Sequence, residues 1–312
     1  MRKGIRGAGL ILAGLTFAGL SSCVLSAPYD KYAIVYGVSI YDSGLAEGVY
    51  PNLKYPDDDA VAIKAMLIAQ GYQVWMQTNT DADLTNLLAD IDSVALTAKE
   101  DDLFVFYFSG HGGFGGSGPE PAGSDPVTEW IFLYGSLSDS SQTFSDDQLL
   151  AAFGPIAARK KVIILDSCNS GGFIGNHAEA DIIPPQFLGS GETLGEIISR
   201  ALTLYANYGG AQGDIAPEDA LVIAASGERE VSWEGLYGHG VLTYFLLAAE
   251  SGGDRNHDGY VTVSEAYYYA YRRIMSEWNP IYGAALVEEG YDGLFSPHVS
   301  GGPVDYVLFE AR

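Results

Sequence analysis

The chain has 312 residues, 47% of them hydrophobic and 12% aromatic, and these are the proportions of a globular protein rather than a disordered one. Its formal net charge is −24 at pH 7, so it lacks the excess of Lys and Arg that binding to nucleic-acid phosphates requires. We therefore expect no nucleic-acid partner, whereas basic substrates and divalent cations suit such an acidic surface.

The N-terminus has the pattern of an export signal. A short basic segment precedes the apolar run GLILAGLTFAGL, which is too short and too rich in glycine for a membrane span. The run ends in LSSC, which resembles the lipobox of bacterial lipoproteins; the alternative is an ordinary secretory signal that contains a cysteine. The resemblance implies that residues 1–22 are removed and that Cys23 carries a lipid. Residues 23–30 would then link this membrane anchor to a domain over 31–312, on the periplasmic or extracellular face of the cell envelope.

Strand and helix patterns alternate along the rest of the chain, and this order predicts an α/β domain with a parallel sheet. No repeat and no second domain is evident. The pattern lapses over residues 175–219, a polar insertion with a predicted helix at 191–205. The predicted strands are residues 32–41, 72–77, 102–110, 162–165 and 220–226, with a short apolar segment at 129–135, and the predicted helices are residues 55–71, 81–98, 144–158, 238–250 and 263–275.

The helix predictions depend on spacing and on charge at the helix ends. Three aspartates, residues 57–59, suit the N-terminus of the first helix, where Val61, Met66 and Ile68 recur at helical spacing. Ser145 is the predicted N-cap of the third helix.

Two predicted strands end in residues that can carry out nucleophilic catalysis. The apolar run DLFVFYFSG is followed by His111, and the run VIILDSC ends in Cys168. In parallel sheets, functional groups collect beyond the carboxyl ends of the strands. A thiolate can attack a carbonyl carbon, a histidine can assist it and then protonate a leaving amine, and the amides of Gly112 and Cys168 are suited to stabilise the oxyanion. If Cys23 carries a lipid, Cys168 has no cysteine partner, and no nearby residue is identified that would orient His111.

The motifs YFSGHGG and LDSCNSGG closely resemble the histidine and cysteine motifs of the caspase-like cysteine peptidases, among them the metacaspases and their bacterial relatives. The likeness extends over nearly the whole chain after the linker, and the separation of 57 residues (168 − 111) is close to the roughly 50 residues between His and Cys in caspases. It implies an α/β, caspase-like three-layer fold with a mostly parallel central sheet flanked by helices. It also implies that His111 is the base and acid, that Cys168 is the nucleophile, and that Gly112 shares the oxyanion hole with the amide of Cys168.

The same resemblance implies a substrate preference. In metacaspases the aspartate two residues before the nucleophile lines the pocket for the residue before the cut bond, and here that residue is Asp166. A carboxylate there attracts Arg or Lys, so we expect protein or peptide substrates cut after a basic residue. Glu228, Glu230 and Glu234 are weaker candidates for the pocket, and the alternative role for Asp166 is a helix or loop cap. Self-cleavage after Arg200 would follow from the same preference.

Residues 254–265, DRNHDGYVTVSE, match the twelve-residue EF-hand loop position by position, with helical patterns on both sides. The alternative is a polar connector between helices, of a kind that recurs in bacterial relatives of the family. We expect Ca²⁺ in a structural site, with a regulatory role left open, and no organic cofactor. The predicted ligands are Asp254, Asn256, Asp258, the carbonyl of Tyr260, Thr262 and Glu265, and Gly259 makes the turn.

These patterns together predict a membrane-anchored cysteine endopeptidase. Two alternatives stay open. One is a non-catalytic, calcium-stabilised surface lipoprotein that uses the fold for binding, and the other is a different cysteine hydrolase or transpeptidase with the same pair of residues.

Overall fold

A computed structural model of the chain describes residues 29–41, 51–115, 128–136, 143–168, 170, 220–226, 231–288, 293–299 and 305–312. The predicted signal segment, the lipidation site Cys23, the helix at 191–205 and Arg200 lie outside these residues.

Thirteen strands occur in this part of the chain, and we number them in chain order. They are β1 (Lys31–Gly37), β2 (Gln73–Thr78), β3 (Leu103–Ser109), β4 (Gly112–Gly115), β5 (Thr128–Phe132), β6 (Thr143–Ser145), β7 (Lys160–Asp166), β8 (Leu221–Ala224), β9 (Glu234–Leu236), β10 (His239–Gly240), β11 (Tyr260–Thr262), β12 (His298–Val299) and β13 (Val307–Glu310).

The α-helices of the described residues are also numbered in chain order. They are α1 (Pro56–Ala69), α2 (Leu84–Ala95), α3 (Asp146–Phe153), α4 (Val241–Gly252), α5 (Val263–Arg273) and α6 (Asn279–Glu288), with a π-helical turn at Ile274–Trp278 between the last two and a 3₁₀ turn at Asn79–Asp81.

Six strands form the central sheet, in the order β12-β8-β7-β3-β1-β2. All neighbours pair in parallel except β12, which runs antiparallel to β8 at one edge. Small antiparallel sheets lie outside it: β4-β5-β6, the hairpin β9-β10, and the pair β11-β13. The sheet is mixed and mostly parallel, as the sequence predicted.

Helices and smaller sheets cover both faces of the central sheet, which gives three layers. Helices α1, α4, α5 and α6 pack in the apolar core on one face, and α2, α3 and the β4-β5-β6 sheet pack in the core on the other. Strand β3 shows why its sequence is a continuous apolar run. Leu103, Val105 and Tyr107 enter the first core while their neighbours Phe104 and Phe106 enter the second, so both faces of the strand are buried.

The predicted strands and helices of the described residues occur in the structure in the predicted order, with differences at their ends and faces and with further short elements between them. The first strand ends at Gly37 rather than at residue 41, and after it Val38 donates one more backbone hydrogen bond, to the carbonyl of Ser109 at the end of β3. The buried face predicted for α1 from the residue spacing is wrong, because Val61 and Ile68 are each 53% exposed. The residues of α1 that are buried are Pro56, Asp59, Ala60, Ile63 and Leu67.

The N-terminus of α3 is confirmed in detail. Ser145 accepts the amide of Gln148, and the Gln148 side chain accepts the amide of Ser145, which is a capping box. The apolar segment at 129–135 contributes to β5 of the small sheet. Helix α6 and the short strands β4, β6, β9, β10, β11, β12 and β13 were not predicted. None of the helices in the described ranges is both long and apolar enough to cross a membrane.

Candidate active site

Strands β3 and β7 bring the two predicted catalytic residues to one edge of the central sheet. The strands are parallel neighbours, and Ser109 at the end of β3 faces Asp166 at the end of β7. The amide of Gly110 donates to the carbonyl of Asp166 at 3.3 Å, which extends this pairing beyond the strands. His111 and Cys168 each follow two residues after this last pair, so they leave adjacent strand ends.

The two loops that carry these residues are in contact at Gly112. A Cβ atom on Gly112 would lie 2.1 Å from the carbonyl oxygen of Cys168 and 3.1 Å from Oγ of Ser167. Since real Cβ atoms do not approach a carbonyl oxygen so closely, only glycine fits beside Cys168 here. The two residues predicted to form the oxyanion hole are therefore in contact.

His111 is held by groups that the sequence did not indicate. Its Nε2 lies 2.7 Å from the carbonyl oxygen of Pro51, its amide donates to the hydroxyl of Tyr41 at 2.7 Å, and the Tyr41 ring packs against the imidazole at 4.8 Å between centroids. Because a carbonyl oxygen can only accept, Nε2 carries the hydrogen, and the neutral ring has its lone pair on Nδ1. Burial lowers the pKa of His111, while the Pro51 carbonyl and the charge of Glu234 oppose this shift.

Cys168 is half-buried and carries a free thiol. The amide of Ser232 donates to its Sγ at 3.4 Å. Burial raises the pKa of the Cys168 thiol, the Ser232 amide lowers it, and the charge of Asp166 raises it further. The pKa of the thiol is raised and that of the imidazole lowered, so the resting pair is a neutral thiol and a neutral imidazole rather than a thiolate and an imidazolium.

Asp166 is buried at the end of β7 and accepts hydrogen bonds from three groups. Ser232 Oγ donates to Oδ1 at 2.6 Å, and the amide and hydroxyl of Thr243 donate to Oδ2 at 3.1 Å and 2.7 Å. Because Thr243 is the third residue of α4, Asp166 caps that helix, which is the alternative role considered for it. The hydroxyl of Tyr107 lies 2.6 Å from that of Thr243, which already donates to Asp166, so Tyr107 is the donor in that pair.

A second buried carboxylate, Asp59 of α1, lies beside Asp166. A Cβ atom built on Gly240 would lie 2.4 Å from Oδ2 of Asp166 and 3.0 Å from Oδ2 of Asp59, so both carboxylates pack on the same glycine. Asp59 accepts the amide of Gly240, the hydroxyl of Ser109 at 3.1 Å and Nδ1 of His239 at 2.8 Å. The sequence showed Asp59 only as one of three acids at a helix start, and nothing in the local pattern distinguishes it from Asp57 and Asp58.

The N-terminus of α4 stabilises this acidic pair. Gly240, its N-cap, donates to Asp59, and Thr243 donates to Asp166, so two amides at the positive end of the helix dipole point at the two carboxylates. Burial and the neighbouring charge of Asp166 nevertheless raise the pKa of Asp59, and burial raises the pKa of Asp166. Two adjacent buried carboxylates favour binding of a cation or a proton between them.

Of the weaker pocket candidates, Glu228 and Glu230 lie outside the described residues. Glu234 is exposed on β9 and accepts the amides of Lys54 and Tyr55 at 3.0 Å and 3.2 Å, at the N-terminus of α1. Its charge raises the pKa of both Asp59 and Asp166. Glu234 thus adds to the negative field at this edge of the sheet.

The predicted calcium loop connects α4 to α5, as the motif requires, and Gly259 adopts a φ of 89° at its turn. Asp254 Oδ2 accepts the Gly259 amide at 3.0 Å, and Glu265 forms a capping box with Thr262. Within the described ranges, no three His, Cys, Asp or Glu side chains are grouped so that they could hold a metal ion. The backbone of the loop therefore fits the motif, whereas its carboxylates bind amides of the loop: Asp258 accepts from Tyr260, and Glu265 also accepts from Asn256.

Comparison with known proteins agrees with this architecture. A family model described as the caspase domain matches residues 30–266. Among solved structures, a structural-genomics target from Geobacter sulfurreducens is 19% identical, with a TM-score of 0.57 over 88% of this chain and 95% of that one. Caspase-1 from Spodoptera frugiperda is 12% identical, with a TM-score of 0.50 over 91% of each chain. No curated protein matches the sequence.

The fold is that of a caspase-like protein. Because the family model covers most of the chain, this protein belongs to the caspase-domain family. Membership of that family suggests cysteine peptidase activity on protein substrates.

Proposed function

We propose that the protein is a cysteine endopeptidase in which His111 and Cys168 form the catalytic pair. The observation that carries the proposal is the register of β3 and β7, whose adjacent ends lead directly to these two residues. The contact of Gly112 with the Cys168 carbonyl supports it, since it brings the two loops together where a substrate carbonyl would bind.

In the proposed reaction the resting pair is neutral. As Sγ of Cys168 attacks the carbonyl carbon, the thiol proton moves to Nδ1 of His111, whose Nε2–H remains bound to the carbonyl of Pro51. The amides of Gly112 and Cys168 stabilise the oxyanion. Collapse of this intermediate breaks the C–N bond, and the imidazolium returns its proton to the leaving amine. Water, deprotonated by His111, then hydrolyses the thioester and regenerates the thiol.

We propose that the residue before the cut bond is Arg or Lys. Asp59 and Asp166 are adjacent buried carboxylates, and the charge of Glu234 adds to theirs. Ser232 connects this pair to the nucleophile, because its amide donates to Cys168 Sγ and its hydroxyl donates to Asp166. A guanidinium or ammonium group that reaches this pair is attracted by it, whereas an acidic side chain is repelled. A basic side chain that contacts Asp166 therefore replaces or shares the hydrogen bond from the Ser232 hydroxyl.

The test is hydrolysis of matched fluorogenic peptides that end in Arg, Lys, citrulline or Asp before the reporter. We expect cleavage after Arg and Lys by the full chain, and none by the Cys168→Ala variant. Faster cleavage after Asp than after Arg would overturn the preference. Activity that survives Cys168→Ala would overturn the mechanism, and a folded chain without activity on any peptide would favour the non-catalytic alternative.

Binding of Ca²⁺ to residues 254–265 and a lipid anchor at Cys23 are further proposals, each supported by its sequence motif. If Ca²⁺ binds, Asp254, Asp258 and Glu265 would exchange amide hydrogen bonds for the ion, which supplies charge neutralisation and order to the α4–α5 connection. A rise in melting temperature in millimolar Ca²⁺ tests the first proposal. Mass spectrometry of the N-terminal peptide from membranes, with Cys23→Ser as the control, tests the second.

A further inference from the structure

In the described part of the chain, the buried carboxylate of Asp59 is hydrogen-bonded to a basic side chain, that of His239. Nδ1 of His239 lies 2.8 Å from Oδ1 of Asp59. The carboxylate side chain of Asp59 is fully buried, whereas the His239 side chain is 23% exposed. Among the groups bound to Asp59, His239 is therefore the one that lies between the carboxylate and solvent.

The contact has the chemistry that a basic substrate would use. When Asp59 is ionised it only accepts, so Nδ1 of His239 then donates an N–H to it, just as a guanidinium or ammonium N–H would. The charged and titratable groups around Asp59 are Asp166 of β7, Glu234 of β9 and the hydroxyl of Tyr107 of β3, and none of these is a cation. The field at this position therefore favours a cationic donor, and His239 provides the donor in the absence of substrate.

The position of His239 allows its ring to leave. It lies on β10, a strand of two residues that pairs with β9 through an irregular register. The connecting turn has positive φ at Tyr237 and Gly238, and Tyr237 is 79% exposed. Gly240, whose amide donates to Asp59, is the N-cap of α4 and follows His239 immediately. A side-chain rotation of His239 thus removes its hydrogen bond to Asp59 Oδ1, while the Gly240 amide keeps its own and the helix that holds the pair need not move.

We propose that His239 occupies the cation site of the pocket and that an Arg or Lys side chain of the substrate displaces it. This inference rests on the proposed preference for basic residues and adds a residue that sets its strength. His239 weakens binding of every basic substrate by the same competition, and it leaves a neutral isostere unaffected. Its removal therefore strengthens binding of Arg and Lys.

The experiment has a kinetic arm and a binding arm. In the full chain, His239→Ala is expected to lower KM for the Arg and Lys peptides by about tenfold, the effect of one charge-assisted hydrogen bond, with kcat unchanged and the citrulline peptide unaffected. His239→Gln keeps a neutral donor, so its KM for the Arg and Lys peptides is expected to lie between those of His239→Ala and the unsubstituted chain. Tyr237→Asn, in the same turn and with a residue that tolerates positive φ, is the control and should match the unsubstituted chain.

The binding arm separates failure of this inference from failure of the proposed function. In the Cys168→Ala background, calorimetry with n-butylguanidine should show tighter binding after His239→Ala and no change after Tyr237→Asn. If the unsubstituted chain cleaves Arg peptides but His239→Ala raises KM or leaves both KM and n-butylguanidine affinity unchanged, the displacement model is wrong and His239 merely orients Asp59. If no peptide is cleaved but n-butylguanidine still binds tighter, the displacement stands and the peptidase assignment fails.

Discussion

Replacement of Asp59 by Asn tests whether the acidic pair determines specificity. The change keeps the shape of the side chain and removes one of the two buried charges beside Gly240. Asp59 is placed to make one charge-assisted contact with a substrate cation, and such hydrogen bonds contribute about 1.5–3 kcal/mol. The expected loss in kcat/KM for an Arg peptide is therefore roughly 10- to 100-fold, since each 1.4 kcal/mol is a factor of ten.

The assay compares the Arg peptide with its citrulline isostere, which has the same shape without the charge. We expect Asp59→Asn to reduce only the Arg rate, so that the ratio of the two rates falls by the same 10- to 100-fold factor. Asp57→Asn is the matched control, because Asp57 lies two residues away on the same helix and bonds Ser39 and Asn79 instead. An equal loss for both peptides, or a loss in Asp57→Asn as well, would refute the assignment.

The same variant changes the dependence of stability on pH. Burial and the charge of Asp166 raise the folded-state pKa of Asp59, so its protonated form stabilises the fold at low pH. This stabilisation is complete below the ordinary pKa of an aspartate and is lost as pH rises through the raised folded value. Melting temperature should therefore fall less steeply between pH 4 and neutrality in Asp59→Asn than in the unsubstituted chain. An unchanged slope would show that Asp59 is not protonated in the fold.

Three further predictions concern the thiol of Cys168, the contact at Gly112 and the calcium loop at residues 254–265. The raised pKa of Cys168 predicts that its alkylation by iodoacetamide keeps accelerating above pH 9, and a plateau near pH 7 would show a resting thiolate instead. Gly112→Ala should reduce kcat at least 100-fold with a smaller change in KM, because the added methyl group displaces the Cys168 carbonyl. Gly154→Ala, at the end of α3 where φ is −53°, is the control, and equal kcat values in the two variants would contradict the contact. Glu265→Gln should abolish any rise in melting temperature with millimolar Ca²⁺, and a rise that persists would place the ion elsewhere.

The sequence predicted the architecture well, because buried strands and amphipathic helices leave periodic patterns. The apolar run of β3 and the N-cap residue Ser145 are local features, and both predictions agree with the structure. The motifs around His111 and Cys168 are also local, and the parallel register then determines that their loops meet.

The parts that sequence could not predict depend on contacts between distant residues. Asp59 looks like any acid at a helix start, and only the packing of α1 against α4 turns it toward Asp166. The carbonyl of Pro51 that binds His111 is a backbone group and has no sequence signal. In α1, apolar residues occur on more than one face, so residue spacing alone does not identify the buried one. The prediction named Val61 and Ile68, whereas Ile63 and Leu67 are buried.

The most direct measurement is covalent labelling of the full chain with an arginyl thiol-reactive ketone, followed by peptide mapping. We predict that the label attaches to Cys168, that His111→Ala slows the reaction at least 100-fold, and that an aspartyl analogue reacts far more slowly. Equal labelling in the unsubstituted and His111→Ala chains, or a label found only at Cys23, would contradict the pairing of imidazole and thiol on which the proposed peptidase depends.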